Sequence, residues 1–198
     1  ATVTLNRTMK KDTWTTVCLP FSMTEKQVRD AFGDGARVAE FKNVDGNVAN
    51  FGMFYYQLIN GGMPYLIKPS KNITEGTQIS GVTIDAGKPL EINGGDFSFA
   101  GTYEKTMMPA NSHFLGGSDG KLYYITKEKE IGGLKAFLKP ASAAVTTKLS
   151  IGIGNNGATT TVEAISDESL NLNTGKCTVY NLNGQRVEKS TGNGVKGI

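Results

Sequence analysis

The 198 residues carry 21 basic and 18 acidic side chains, a net charge of only +3, and the Lys and Arg are scattered instead of gathered into a stripe, which argues against a nucleic-acid partner. One histidine and two distant cysteines offer no set of ligands spaced for a metal and imply no cofactor. No stretch approaches the ~20 apolar residues that span a bilayer, and a chain of this length buries roughly 70% of its unfolded surface, enough for a core without disulfides or metals.

The 25 glycines punctuate short runs of β-branched and aromatic residues, the pattern of an all-β, β-sandwich-like fold. Val3, Thr4 and Leu5 lead through the polar corner Lys10-Lys11-Asp12 into a run over 14–21, where Val17, Leu19 and Phe21 share one face by period-two alternation; the two runs read as a first hairpin. Ser22 stands three residues before Glu25 in capping-box spacing. Val28, Ala31 and Phe32 then recur at helical spacing and Gly33 supplies a stop, which predicts one short helix over about 24–32. Strands are predicted beyond it at 37–41, 51–59, 64–67, 78–84, 96–103, 121–126, 136–138 and 148–153.

Residues 1–153 thus form the predicted sandwich-like domain. The stretch 154–168 opens with Gly154-Asn155-Asn156-Gly157 and a threonine run without apolar period, and reads as a linker. A small β unit over 169–198 follows, its hairpin turning at Asn183-Gly184. Cys18 and Cys177 fall in different units; a bridge between them is open from the sequence, and a pair of buried, inert thiols is the commoner outcome.

Two parts of this layout resemble a known family. The segments Trp14-Thr15-Thr16-Val17-Cys18-Leu19-Pro20-Phe21, Gly62-Met63-Pro64-Tyr65-Leu66-Ile67, Phe99-Ala100-Gly101-Thr102-Tyr103 and Gly133-Leu134-Lys135-Ala136-Phe137-Leu138 look like the β-rich domains near the ends of secreted, multidomain surface proteins of gut and oral Bacteroidetes. The tail Val179-Tyr180-Asn181-Leu182-Asn183-Gly184-Gln185-Arg186-Val187, with Gly194-Val195-Lys196-Gly197-Ile198, resembles the start of the C-terminal sorting-type domain of those proteins. The resemblance implies export to the periplasm or cell surface and no particular chemistry. In that family the Lys-Gly-Ile element opens a further strand; here it stands last, so the resemblance implies a truncated tail whose unpaired edge another chain would pair with.

Motifs that suggest catalysis fail on their surroundings. Gly116-Gly117-Ser118-Asp119-Gly120 matches the nucleophile elbow, but strand-like runs flank it on both sides and His113 precedes the serine where the hydrolase order places it after. Gly152-Ile153-Gly154-Asn155-Asn156-Gly157 matches a dinucleotide fingerprint, yet Ala158-Thr159-Thr160-Thr161-Val162 is poor helix material and supplies no helix N-terminus for a pyrophosphate. His113 reads as a surface or hydrogen-bonded histidine, and no two of Asp12, Glu40, Asp45, Asp85, Glu91, Asp96 and Glu104 are singled out as a glycosidase pair.

Aromatic side chains are what remains for binding. In Tyr55-Tyr56 and Tyr123-Tyr124 adjacent rings on a strand point to opposite faces, and Trp14 lies opposite the Val17 face. The expectation is a noncatalytic exported surface module, structural or adhesive, whose partner is a polysaccharide or another surface protein. The alternative is a carbohydrate-binding accessory domain using Trp14, Tyr56 and Tyr124.

Overall fold

The computed structural model describes residues 1–84, 87–155, 158–166, 179–180 and 186–187. They fall into two compact units, Ala1–Asp167 and Glu168–Ile198.

Alternating apolar residues give the first unit its layers. One layer is built from β2 (Thr15–Cys18), β3 (Arg37–Asp45), β4 (Val48–Met53), β5 (Pro64–Lys68) and β14 (Ser150–Asn155), in the spatial order β2-β5-β3-β4-β14. The second holds β7 (Glu91–Asn93), β8 (Phe97–Thr102), β10 (His113–Leu115), β11 (Leu122–Tyr124) and β13 (Lys135–Pro140), in the order β11-β10-β13-β8-β7. A long strand, β15 (Ala158–Ser166), joins them: Ala158 to Glu163 pair antiparallel with β14, and Ala164 to Ser166 pair parallel with β11. The sandwich-like all-β fold expected from composition is therefore present, with one sheet folded over through β15.

Between the layers, Ala39, Phe41, Phe51, Leu66 and Ile151 from the first meet Phe97, Phe99, Leu122, Ala136 and Leu138 from the second. Phe41, Phe51 and Phe99 form the centre, with ring centroids 5.1 to 5.7 Å apart and the Phe51–Phe99 pair edge to face, a geometry that adds to the burial of each ring.

Both layers are covered outside. On the first, Val17, Val38, Tyr65 and Ile67 point away from the inter-layer core and pack against helix α1 (Glu25–Phe32) and the ribbon of β1 (Thr2–Leu5) with β6 (Thr77–Ser80). On the second, Ala100 and Phe137 pack beneath the ribbon of β9 (Thr106–Met108) with β12 (Lys129–Ile131). Strands buried on two faces need continuous apolar runs, and β5 shows one in Pro64-Tyr65-Leu66-Ile67.

Four local expectations differ from the structure. β1 pairs with β6, not β2, and β2 pairs with β5. The nine residues between β1 and β2 are too many for a tight hairpin, and within them Arg7 turns inward, donating to the Leu134 carbonyl at 2.6 Å and to Thr15 Oγ1 at 3.0 Å. The helix lies over 25–32 as expected, but Thr24 and Gln27 form the capping box, not Ser22 and Glu25. Met23 is held by reciprocal backbone hydrogen bonds to Ile59 at 2.7 and 3.1 Å, so it cannot enter a helix, and helical geometry begins two residues later. The strand expected over 51–59 ends at Met53. Of the stretch 154–168, expected as a linker, residues 154–155 are the end of β14 and residues 158–166 are β15, and the first compact unit extends to Asp167 instead of 153. The threonine run of β15 is strand material once β14 supplies the hydrogen-bonding partners.

In the second unit β16 (Val179–Tyr180) pairs antiparallel with β17 (Arg186–Val187), Val179 opposite Val187 and Tyr180 opposite Arg186, the strands of the predicted hairpin. The Asn183-Gly184 turn and Cys177 lie outside the described residues.

Candidate ligand-binding groove

The three aromatic candidates occupy three different environments. Trp14 precedes β2, is half-buried, and packs against the inter-layer core, on the side opposite Val17 as expected. Tyr124 is 5% exposed; its hydroxyl donates to Asn111 Oδ1 at 2.7 Å and its ring lies 4.9 Å from His113. In that pair it is Tyr123 that faces away from the inter-layer core, stacked on Phe114 at 5.2 Å. Tyr56 is 62% exposed, and so is its neighbour, Tyr55, at 88%.

Strand alternation does not govern Tyr55 and Tyr56, because β4 has ended two residues earlier. Gln57 explains the bend. Its side chain is buried, accepting the Val38 N–H and donating to the Phe54 carbonyl, each at 2.5 Å, so the loop is pinned from inside and both tyrosines are thrown outward. The two rings pack edge to face, with centroids 4.9 Å apart.

Next to this loop three extended segments lie side by side. Met23 pairs with Ile59 and Phe21 with Ile84, each as an isolated antiparallel bridge. Along each segment a buried apolar residue alternates with an outward one: Phe21 and Met23 point in while Ser22 and Thr24 point out, Ile59 points in between Leu58 and Asn60, and Val82 points in before Thr83. The outward residues line an open groove of about 800 Å³, with Gln27 at one side and Leu58 and Ile84 on its rim. Among the described residues no charged side chain lines it. The helix N-terminus beside it is closed by its own capping box, Thr24 Oγ1 accepting the Gln27 N–H and Gln27 Oε1 accepting the Thr24 N–H.

Among the described residues the histidine and the cysteine lie buried outside the groove. His113, on β10, is fully buried; its Nε2 accepts the Leu149 N–H at 2.9 Å, so the ring is the neutral Nδ1–H tautomer, and burial lowers its pKa to about 4. Cys18 is a free, buried thiol that donates to the Gly62 carbonyl at 3.3 Å, and burial pushes its pKa up to about 12. Ser118 lies in the hairpin loop between β10 and β11, where Asp119 accepts the Lys121 N–H and the Tyr123 hydroxyl, so the elbow motif is a turn. Of the second motif, Gly152 to Asn155 lie on β14, paired with β15, and Asn156 and Gly157 lie outside the described residues. Glu40 and Glu91 are paired with Lys42 and Lys139. Among the described residues no three His, Cys, Asp or Glu side chains gather as a metal site would require, and no helix is long and apolar enough to cross a membrane.

Sequence reasoning did not find the groove, since Ser22, Asn60 and Thr83 come from three distant segments. The alternation Phe21-Ser22-Met23-Thr24 was available as a signal, but Ser22 reads equally well as a helix cap. No protein family matches this chain, nor does any curated protein or solved structure.

Proposed function

We propose that this chain is a noncatalytic module of an exported surface protein, structural or adhesive in role, which meets its partner through the groove beside Tyr55 and Tyr56. One observation carries the reading. His113 is neutral and hydrogen-bonded and Cys18 is held as a thiol, both turned inward, whereas the described residues of the open groove present only uncharged side chains. Export is supported by the resemblance of the tail around Val179 to Val187 to sorting-type domains.

Two measurements test it. Protease treatment of intact cells should remove the protein from the outer surface; complete protection together with recovery in the cytosolic fraction would refute export. Incubation with chromogenic esters and glycosides should give no turnover above the buffer rate. Turnover that copurifies with the protein and is abolished in Ser118→Ala would refute the noncatalytic reading.

A further inference from the structure

We infer that the groove is a binding site for an uncharged oligosaccharide, an inference that rests on reading the chain as a noncatalytic binding module. Among the described residues its polar lining is made of hydroxyls and amides, with no lysine, arginine, aspartate or glutamate; Thr24 and Gln27 are engaged with each other and with the Ser80 and Gly81 carbonyls, which leaves Ser22, Asn60 and Thr83 to face a ligand. A phosphate, sulfate or uronate would meet no charged side chain among the described residues that line the groove, and at the neighbouring helix N-terminus the Gln27 N–H is already taken by Thr24 Oγ1.

An extended peptide is the other uncharged occupant, and the backbone argues against it. Strand addition needs a row of unpaired N–H and C=O groups. Here Met23 and Ile59 satisfy each other, the Val82 N–H donates to the Ala1 carbonyl, and the Ala1 nitrogen donates to the Val82 carbonyl. Recognition therefore falls to side chains. Ser22 Oγ accepts the Gly61 N–H at 2.9 Å, which leaves its O–H to donate outward. Sugars present hydroxyls in the plane and C–H groups on the faces. The hydroxyls match the groove lining, and the faces match the rings of Tyr55 and Tyr56, which are 88% and 62% exposed and joined to the groove wall through the Tyr56–Leu58 turn, whose Leu58 N–H donates to the Tyr56 carbonyl at 3.1 Å. The volume of about 800 Å³ suits a ligand of several rings.

The experiment is affinity electrophoresis of the full chain through gels containing a neutral glucan, xylan or mannan, with polygalacturonate as the charged comparison. At least one neutral polysaccharide should retard the protein and polygalacturonate should not. The double variant Tyr55→Ala/Tyr56→Ala should weaken retardation about tenfold, and Thr83→Val, which keeps shape and removes one hydroxyl, about threefold. Met107→Ala, a change at an exposed residue of the β9–β12 ribbon, should leave it unchanged. All substituted residues are exposed, so their thermal unfolding should match that of the parent. Failure of every neutral polysaccharide to retard the protein overturns the inference but leaves the noncatalytic reading standing, since that reading falls only to turnover. Retardation indifferent to the tyrosine and threonine variants overturns the site, and stronger retardation by polygalacturonate overturns the choice of an uncharged ligand.

Discussion

Lowering the pH should unfold this protein through His113 before its carboxylates are spent. The imidazole is fully buried between Phe97, with ring centroids 5.4 Å apart, and Tyr124, and Nε2 accepts the Leu149 N–H. A proton on Nε2 would place a donor against a donor, and the charge would sit in an apolar layer with no carboxylate beside it among the causes of its shift. Burial therefore lowers the pKa to about 4, against 6.5 for the free side chain. The unfolded chain takes up the proton near pH 6.5 and the native chain only near 4, so between these values the unfolded state binds more protons. The stability that neutral His113 contributes is complete above about 6.5, is lost progressively as the pH falls towards 4, and changes no further below that. Two and a half units at about 1.4 kcal/mol each amount to about 3 kcal/mol. That is a large fraction of a typical total of about 5–15 kcal/mol. Urea unfolding followed through the fluorescence of Trp14, the single tryptophan, measures it at pH 7.5 and 4.5. His113→Gln, which can still accept from Leu149, should lose about 3 kcal/mol less than the parent across this interval. Parallel pH dependences in the two proteins, or an imidazole titrating near 6.5 by NMR, would refute the reasoning.

Other expectations are more local. Thr24→Ala should cost about 1 kcal/mol in urea unfolding because it removes the acceptor for the Gln27 N–H, and its effect should exceed that of Ser22→Ala. Phe99→Ala empties the centre of the phenylalanine triad and should cost about 3–5 kcal/mol, read as a lower urea midpoint at an unchanged slope; a cost below 1 kcal/mol would mean that the layers close over the gap. Cys18 should resist alkylation in the native protein at pH 8, as mapped by mass spectrometry of its peptide, and react fully in urea, since its thiol is buried with its pKa pushed up to about 12.

Where one short segment carried all the physics, the sequence was readable. The spacing of Val28, Ala31 and Phe32, closed by Gly33, specified the helix to within a residue, because a 3.6-residue repeat and a stop are local properties. The same holds for the shared face of Val17, Leu19 and Phe21 and for the hairpin whose strands are Val179–Tyr180 and Arg186–Val187. Partner choice was not local. Nothing in Val3-Thr4-Leu5 says that its partner stands more than seventy residues away in β6, and the threonines of β15 look like a linker until β14 pairs with them.

The candidate site divides along the same line. Tyr56 was legible as one ring of an adjacent pair on a strand, but its exposure comes from Gln57, whose side chain reaches back to Val38 and Phe54 and bends the loop. Tyr124 looked equally free and is buried, because the register that sets His113 opposite it turns both rings inward. By itself the sequence determined the class of this protein, all-β with one capped helix and little net charge, since periodicity and composition act over a few residues. Only the tertiary structure decided which aromatics meet solvent and which uncharged side chains share a groove, since both depend on strand pairings between residues far apart in the chain.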